Sequence, residues 1–330
     1  MNRMKYLLPV SALILLASLW SCSNDKVYEG EMYKHVFALI SSDGYNIRAM
    51  EHDLEIEEDV AYISVSCGGT TPTGKELIVY LKEDLMPFDR YNHGNFVKES
   101  EYANLLPSAN YTIESLDLKL PAGEKSAHLP FKLRVEGLSP DSTYFIPIKV
   151  DGFSDYEINP EKADVLYRPY LKNFWATQRT SSNYRVNGKY NGSDMIGTKR
   201  LFPLTYNRVR TTIGNVTSFT ADTAKINTES IVLEIDKARG EKLLMEQRFP
   251  VRITPFKRGT ILPPTNPDDE DDEVGSWEYA DPDYPNIFFV EFDGYKTFKT
   301  FRLHYRYILP GSTTIREMKE ELRLEFVYEE

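Results

Sequence analysis

Trp277, Tyr279 and Tyr284 stand in Gly275-Ser-Trp-Glu-Tyr-Ala-Asp-Pro-Asp-Tyr-Pro285, a stretch with turn residues throughout and no apolar alternation. It reads as a loop, and loops presented by a rigid sheet are where binding residues concentrate. An indole or phenol ring has an apolar face and a polar edge. On such a loop it can stack on the C–H face of a sugar while neighbouring polar groups take the hydroxyls. Trp175, near the middle of the chain, is the other candidate ring. The chain carries 22 Tyr, 17 Phe and 3 Trp, and most of the rest are expected inside strand cores.

Other chemistries find little support. The 5 histidines (His35, His52, His93, His128 and His304) show no His-x-x-His or His-Glu-x-x-His spacing, so no metal site is expected. A Gly-x-Ser-x-Gly elbow is absent, as are the clustered aspartates of chitinase-fold enzymes. Glycoside hydrolysis needs two opposed carboxylates, but among 50 acidic residues their mere presence decides nothing. The run Asp268-Asp-Glu-Asp-Asp-Glu273 lacks the glycine and the spaced glutamate of a calcium loop and reads as a solvated charge run. Cys67, in the strand-like Ala61-Tyr-Ile-Ser-Val-Ser-Cys67, reads as a buried, inert thiol. No catalytic residue and no cofactor is assigned, and the chain is expected not to be an enzyme.

The elements that must carry these residues are strands. Leu116, Leu118 and Leu120 alternate with Asp117 and Lys119, Phe131 and Leu133 with Lys132 and Arg134, and Tyr144, Ile146, Ile148 and Val150 continue the pattern. Later, Ile231, Leu233 and Ile235, then Phe301, Leu303, Tyr305 and Tyr307, then Leu322, Leu324 and Phe326 do the same. Helical periodicity is confined to residues 236–247 and to a turn near 316–320. The fold class is therefore all-β: an N-terminal Ig-like β-sandwich over 35–178 and a C-terminal antiparallel β-barrel or sandwich over 179–330.

The N-terminus carries a different signal. Arg3 and Lys5 precede an apolar run from Tyr6 to Trp20, too short to span a bilayer comfortably, which is the layout of a secretory signal. Leu19-Trp20-Ser21-Cys22 resembles the bacterial lipobox, which implies cleavage before Cys22 and lipidation of that cysteine. Residues 1–21 are thus read as a lipoprotein signal peptide and 22–34 as the lipidated cysteine and a polar tether. Contact with the membrane would come through that lipid alone. A net charge of −11 argues against nucleic acid, whose phosphates need a concentrated positive surface.

Asp89-Arg-Tyr-Asn92, Tyr102-Ala-Asn-Leu-Leu-Pro107, Tyr111-Thr-Ile113, Leu120-Pro-Ala-Gly123 and Tyr144-Phe-Ile-Pro-Ile148 together resemble the signature of an uncharacterised Bacteroidetes β-sandwich domain. That domain occurs in lipoproteins of starch-utilisation-type uptake loci and ahead of some chitinase-fold endoglycosidases. The C-terminal half, through Asp281-Pro-Asp-Tyr-Pro285, Leu303-His-Tyr-Arg-Tyr307 and Arg316-Glu-Met-Lys-Glu320, resembles the β-rich domain of unknown function that often follows it. The resemblance implies an outer-membrane lipoprotein facing the cell exterior, non-catalytic, that captures glycans beside a TonB-dependent transporter and partner lipoproteins. A fimbrillin-like structural or adhesive protein is the alternative. Asn92, Pro107 and Gly123 are read as turn residues, not ligands.

Overall fold

The computed structural model describes residues 34–327 apart from 219, 270, 271 and 280. The signal peptide, Cys22 and most of the tether lie outside the described residues. Among those described, no helix is long and apolar enough to cross a membrane.

The first domain comprises β1 (Val36–Leu39), β2 (Ile47–Asp53), β3 (Asp59–Gly68), β4 (Leu77–Glu83), helix α1 (Met86–Asn95), β5 (Asn104–Leu105), β6 (Tyr111–Thr112), β7 (Asp117–Leu120), β8 (Ser126–Leu133), β9 (Tyr144–Phe153), β10 (Glu157–Ile158) and β11 (Asp164–Lys172). One sheet has the order β10-β1-β3-β8-β6 and the other β2-β11-β9-β4-β7, with β5 beside β9. The alternating apolar residues read from the sequence fill the space between them, including Leu118, Leu120, Phe131, Leu133, Ile146 and Ile148. Cys67 is buried in this core as well.

The second domain comprises β12 (Ser182–Tyr190), β13 (Ser193–Thr205), β14 (Arg208–Thr212), the short helix α2 (Thr223–Thr228), β15 (Ser230–Ile235), β16 (Arg248–Pro255), β17 (Thr260–Leu262), β18 (Ile287–Phe292), β19 (Thr297–Ile308) and β20 (Arg316–Phe326). Its strands follow the order β19-β18-β16-β15-β14-β13-β12-β20, and pairing of β19 with β20 closes them into an eight-stranded barrel. The barrel alternative is the one realised. Gly188 allows this closure locally, because a Cβ there would stand 2.0 Å from the Lys319 carbonyl oxygen across the β12–β20 pair. The two cores part between Leu171, which packs in the sandwich, and Trp175, which packs in the barrel.

Both expected helices are replaced. Residues 236–247 are irregular, because Lys237 and Arg239 reach back to the first domain and Gly240 turns the chain at a φ of +77°. Residues 316–320 belong to β20. The helix that does form in the first domain, α1, buries only Pro87 and Asn92 and so has no apolar stripe to betray it. Asn92 is accordingly not a turn residue. Its Oδ1 accepts from the Ala103 amide at 2.9 Å and its Nδ2 donates to the Ala103 carbonyl, pinning the following segment to the helix. Gly123 does occupy a turn, at a φ of +89°.

Candidate functional site: a cleft at the barrel seam

The barrel wall is thinly paired beside β18. β18 pairs with β16 only from Arg248 to Pro250, and with β19 only as far as Arg302. Beyond that, the far half of β19 pairs instead with β17, Thr260 to Leu262 lying opposite Ile308 to Arg306. A cleft of ≈ 800 Å³ opens here, lined by residues of β15 and β16, by Ile261 and by Trp277, Tyr279, Pro285 and Asn286. That is within the ~300–1,000 Å³ usual for ligand sites.

Trp277 and Tyr279 reach the cleft because their loop is fixed to the outer face of β19 and β20. Arg306 donates from Nε to the Pro263 carbonyl at 2.8 Å and from its Nη atoms to the carbonyls of Glu273 and Val274. Asp272, from the acidic run, accepts from the amides of Asn266 and Gly275, and these bonds hold its carboxyl below the ordinary value. It is a loop staple, and among the described residues no cluster suited to a metal is present. Lys319 donates to Asp281 at 2.7 Å. Burial pushes the Asp281 carboxyl up, but the Lys319 bond and the Asp283 amide outweigh it and the net shift is downward. His304 Nε2 lies 2.7 Å from Glu317, and that hydrogen bond, against burial, lowers the Glu317 carboxyl. Asn286 exchanges two hydrogen bonds with the His304 backbone, at 2.9 and 2.7 Å.

The loop is thus tied to the barrel through its described residues, and Trp277 is 50% exposed upon it. Tyr279 stands edge-on to His304, with ring centroids 6.4 Å apart, and is half-buried. Around these rings Asn207, Glu234, Asp236, Arg252 and Asn286 supply donors and acceptors. An exposed indole beside polar groups can stack on an apolar ring face and bind its hydroxyl substituents. Tyr284 is half-buried near the base of the same loop and is not among the cleft residues. Trp175 is 0% exposed, packed edge-on against Phe174 and Phe288 in the barrel core. It is a packing residue, so its ring faces are closed to a surface ligand. The residues from β15 and β16, Glu234 and Arg252 foremost, were not legible as cleft residues, since outward charges on alternating strands look alike everywhere.

Fold and site together define a two-domain all-β protein, a sandwich followed by a closed barrel with a cleft in its side. Residues 30–157 match a protein family described as an N-terminal domain, and residues 163–323 one described as a C-terminal domain. A protein of unknown function from Bacteroides ovatus has the same arrangement, with a TM-score of 0.56 at 16% identity over 92% of this chain and 94% of that one. A multidomain protein including DUF1735, also from Bacteroides ovatus, gives 0.53 at 10% identity over 88% and 94%. An auxiliary nutrient binding protein from Bacteroides thetaiotaomicron gives 0.48 at 15% identity over 84% and 90%. For the two Bacteroides ovatus proteins the likeness is one of fold. No curated protein matches the sequence.

Proposed function

We propose that this protein is a non-catalytic, glycan-binding lipoprotein of the outer membrane, facing the cell exterior and serving a polysaccharide-uptake system with a TonB-dependent transporter. The observation that carries the reading is the half-exposed Trp277, held with Tyr279 over a cleft lined by amide and charged groups. The lipobox-like Leu19-Trp20-Ser21-Cys22 supports the anchor, and the resemblance of residues 35–178 to sandwich domains of uptake loci supports the setting.

Affinity electrophoresis of the protein through gels cast with host and plant polysaccharides tests it. Retardation by at least one glycan is expected, reduced about two- to tenfold in Trp277→Ala, since stacked aromatics contribute on the order of 0.5–1.5 kcal/mol. Unretarded migration in every gel would remove the reading. Release of reducing ends from the bound glycan would overturn its non-catalytic part.

A further inference from the structure

A second cavity, of ≈ 350 Å³, lies where β11 hands the chain to the barrel, and it shares no wall residue with the seam cleft. Lys172, Phe174, Trp175, Thr180, Ser181 and Lys299 contribute to its wall. Lys299 stands on β19 on the same face as Phe301 and Leu303 and is half-buried. Its Nζ lies 4.2 Å from the Phe174 ring centroid and 4.8 Å from that of Phe326, and it donates to the Phe174 carbonyl. Burial lowers the ammonium from 10.5 to about 8, with no carboxylate acting against that shift.

Three buried cations meet carboxylates, while buried Arg306 is satisfied by backbone carbonyls alone. Lys199 meets Glu320, Arg210 meets Asp141 and Lys237 meets Glu55. Lys299 has no carboxylate within ion-pair distance among the described residues, and a charge partly withdrawn from water without an opposite partner carries a desolvation cost. An ammonium has three donors, and one is used by the Phe174 carbonyl. The neighbouring Trp175 Nε1 is also buried without a hydrogen-bond partner. Glu51 adds one acid to the wall, but its carboxylate already accepts from Thr177. Lys172, 4.0 Å from Asp53, adds a second cation. Thr180 and Ser181 are exposed at the rim and offer hydroxyls.

We propose that this junction cavity binds a small ligand carrying both a carboxylate and hydroxyl groups, the chemistry of a uronic acid, with the carboxylate on Lys299 Nζ. The ligand supplies the missing counter-charge, and the rim hydroxyls pair with its own. The site stands apart from the cleft, so either can fail alone.

Calorimetric titration with D-glucuronate, D-glucose and acetate tests the assignment. Glucuronate is expected to bind at least tenfold more tightly than glucose or acetate, to lose at least tenfold in Lys299→Met, and to be unaffected by Trp277→Ala. Glucuronate binding no better than glucose, or equally well in folded Lys299→Met, would overturn the site. Acetate matching glucuronate would overturn the sugar-acid assignment. Should Lys299→Met not fold, NMR of chemically unmodified wild-type protein with ¹³C-labelled lysine decides. The titration midpoint read at the Lys299 Cε must move upward with saturating glucuronate, and an unmoved midpoint would refute the proposal.

Discussion

Asp281 shows how much one side chain can hold. It receives Lys319 at 2.7 Å and the Asp283 amide at 2.9 Å, and its side chain is only 10% exposed. Replacement by Asn removes the charge but keeps the shape, and is expected to cost about 1–3 kcal/mol of stability by urea denaturation, the range for a buried charge-assisted bond. Glycan retardation should weaken with it, because Trp277 and Tyr279 lose their support. The pH dependence follows from the downward shifts of Asp281 and Glu317 from ordinary values of 3.8 and 4.5. A carboxylate with a lowered folded pKa adds stability that is present above its ordinary value and lost as pH falls through the folded one. Acid unfolding of Asp281→Asn should therefore be less steep than that of the wild type below about pH 4.

Among the elements, β13, β19 and β20 carry an arrangement that patterning does not announce. Lys199 Nζ meets Glu320 at 2.6 Å with both side chains 0% exposed, and Tyr305 donates to the same carboxylate at 2.9 Å while accepting from the Gly214 amide. Burial lowers the Lys199 ammonium, and Glu320 opposes that shift. Taking away one partner strands a charge inside the barrel. Glu320→Gln is expected to cost about 3–5 kcal/mol, measured as a shift in the urea midpoint, whereas Lys199→Met/Glu320→Met should recover most of the loss. A cost below about 1 kcal/mol for the single change would show that the pair contributes little.

For the molecule as a whole, the junction between domains is polar and specific. Arg210, 2% exposed, grips Asp141 of the sandwich through both Nη atoms. Lys237 donates to Glu55, and Arg239 donates to the carbonyls of Leu54 and Glu55 and to Glu136, its guanidinium 4.4 Å from the Tyr206 ring. These contacts couple two separate cores into one folding unit. Asp141→Asn leaves Arg210 without its counter-charge, so calorimetry is expected to show one unfolding transition for the wild type and two for the variant, the barrel melting lower. Coincident transitions in the variant would mean that the remaining contacts suffice.

The sequence alone determined the all-β class, the strands with one wet face, the buried thiol and the aromatic loop beside the later cleft. Each is a local property: alternation with a period of two, turn residues and exposed rings are written within ten residues of one another. Closure of the barrel, the short β18 that opens its side, the buried Lys199–Glu320 pair and the unpaired Lys299 were decided only by the tertiary structure. They depend on pairings such as Lys199 with Glu320, 121 positions apart. No local pattern encodes which strand end meets which, and a charged residue on a strand looks the same in sequence whether its partner is water or a carboxylate across the barrel.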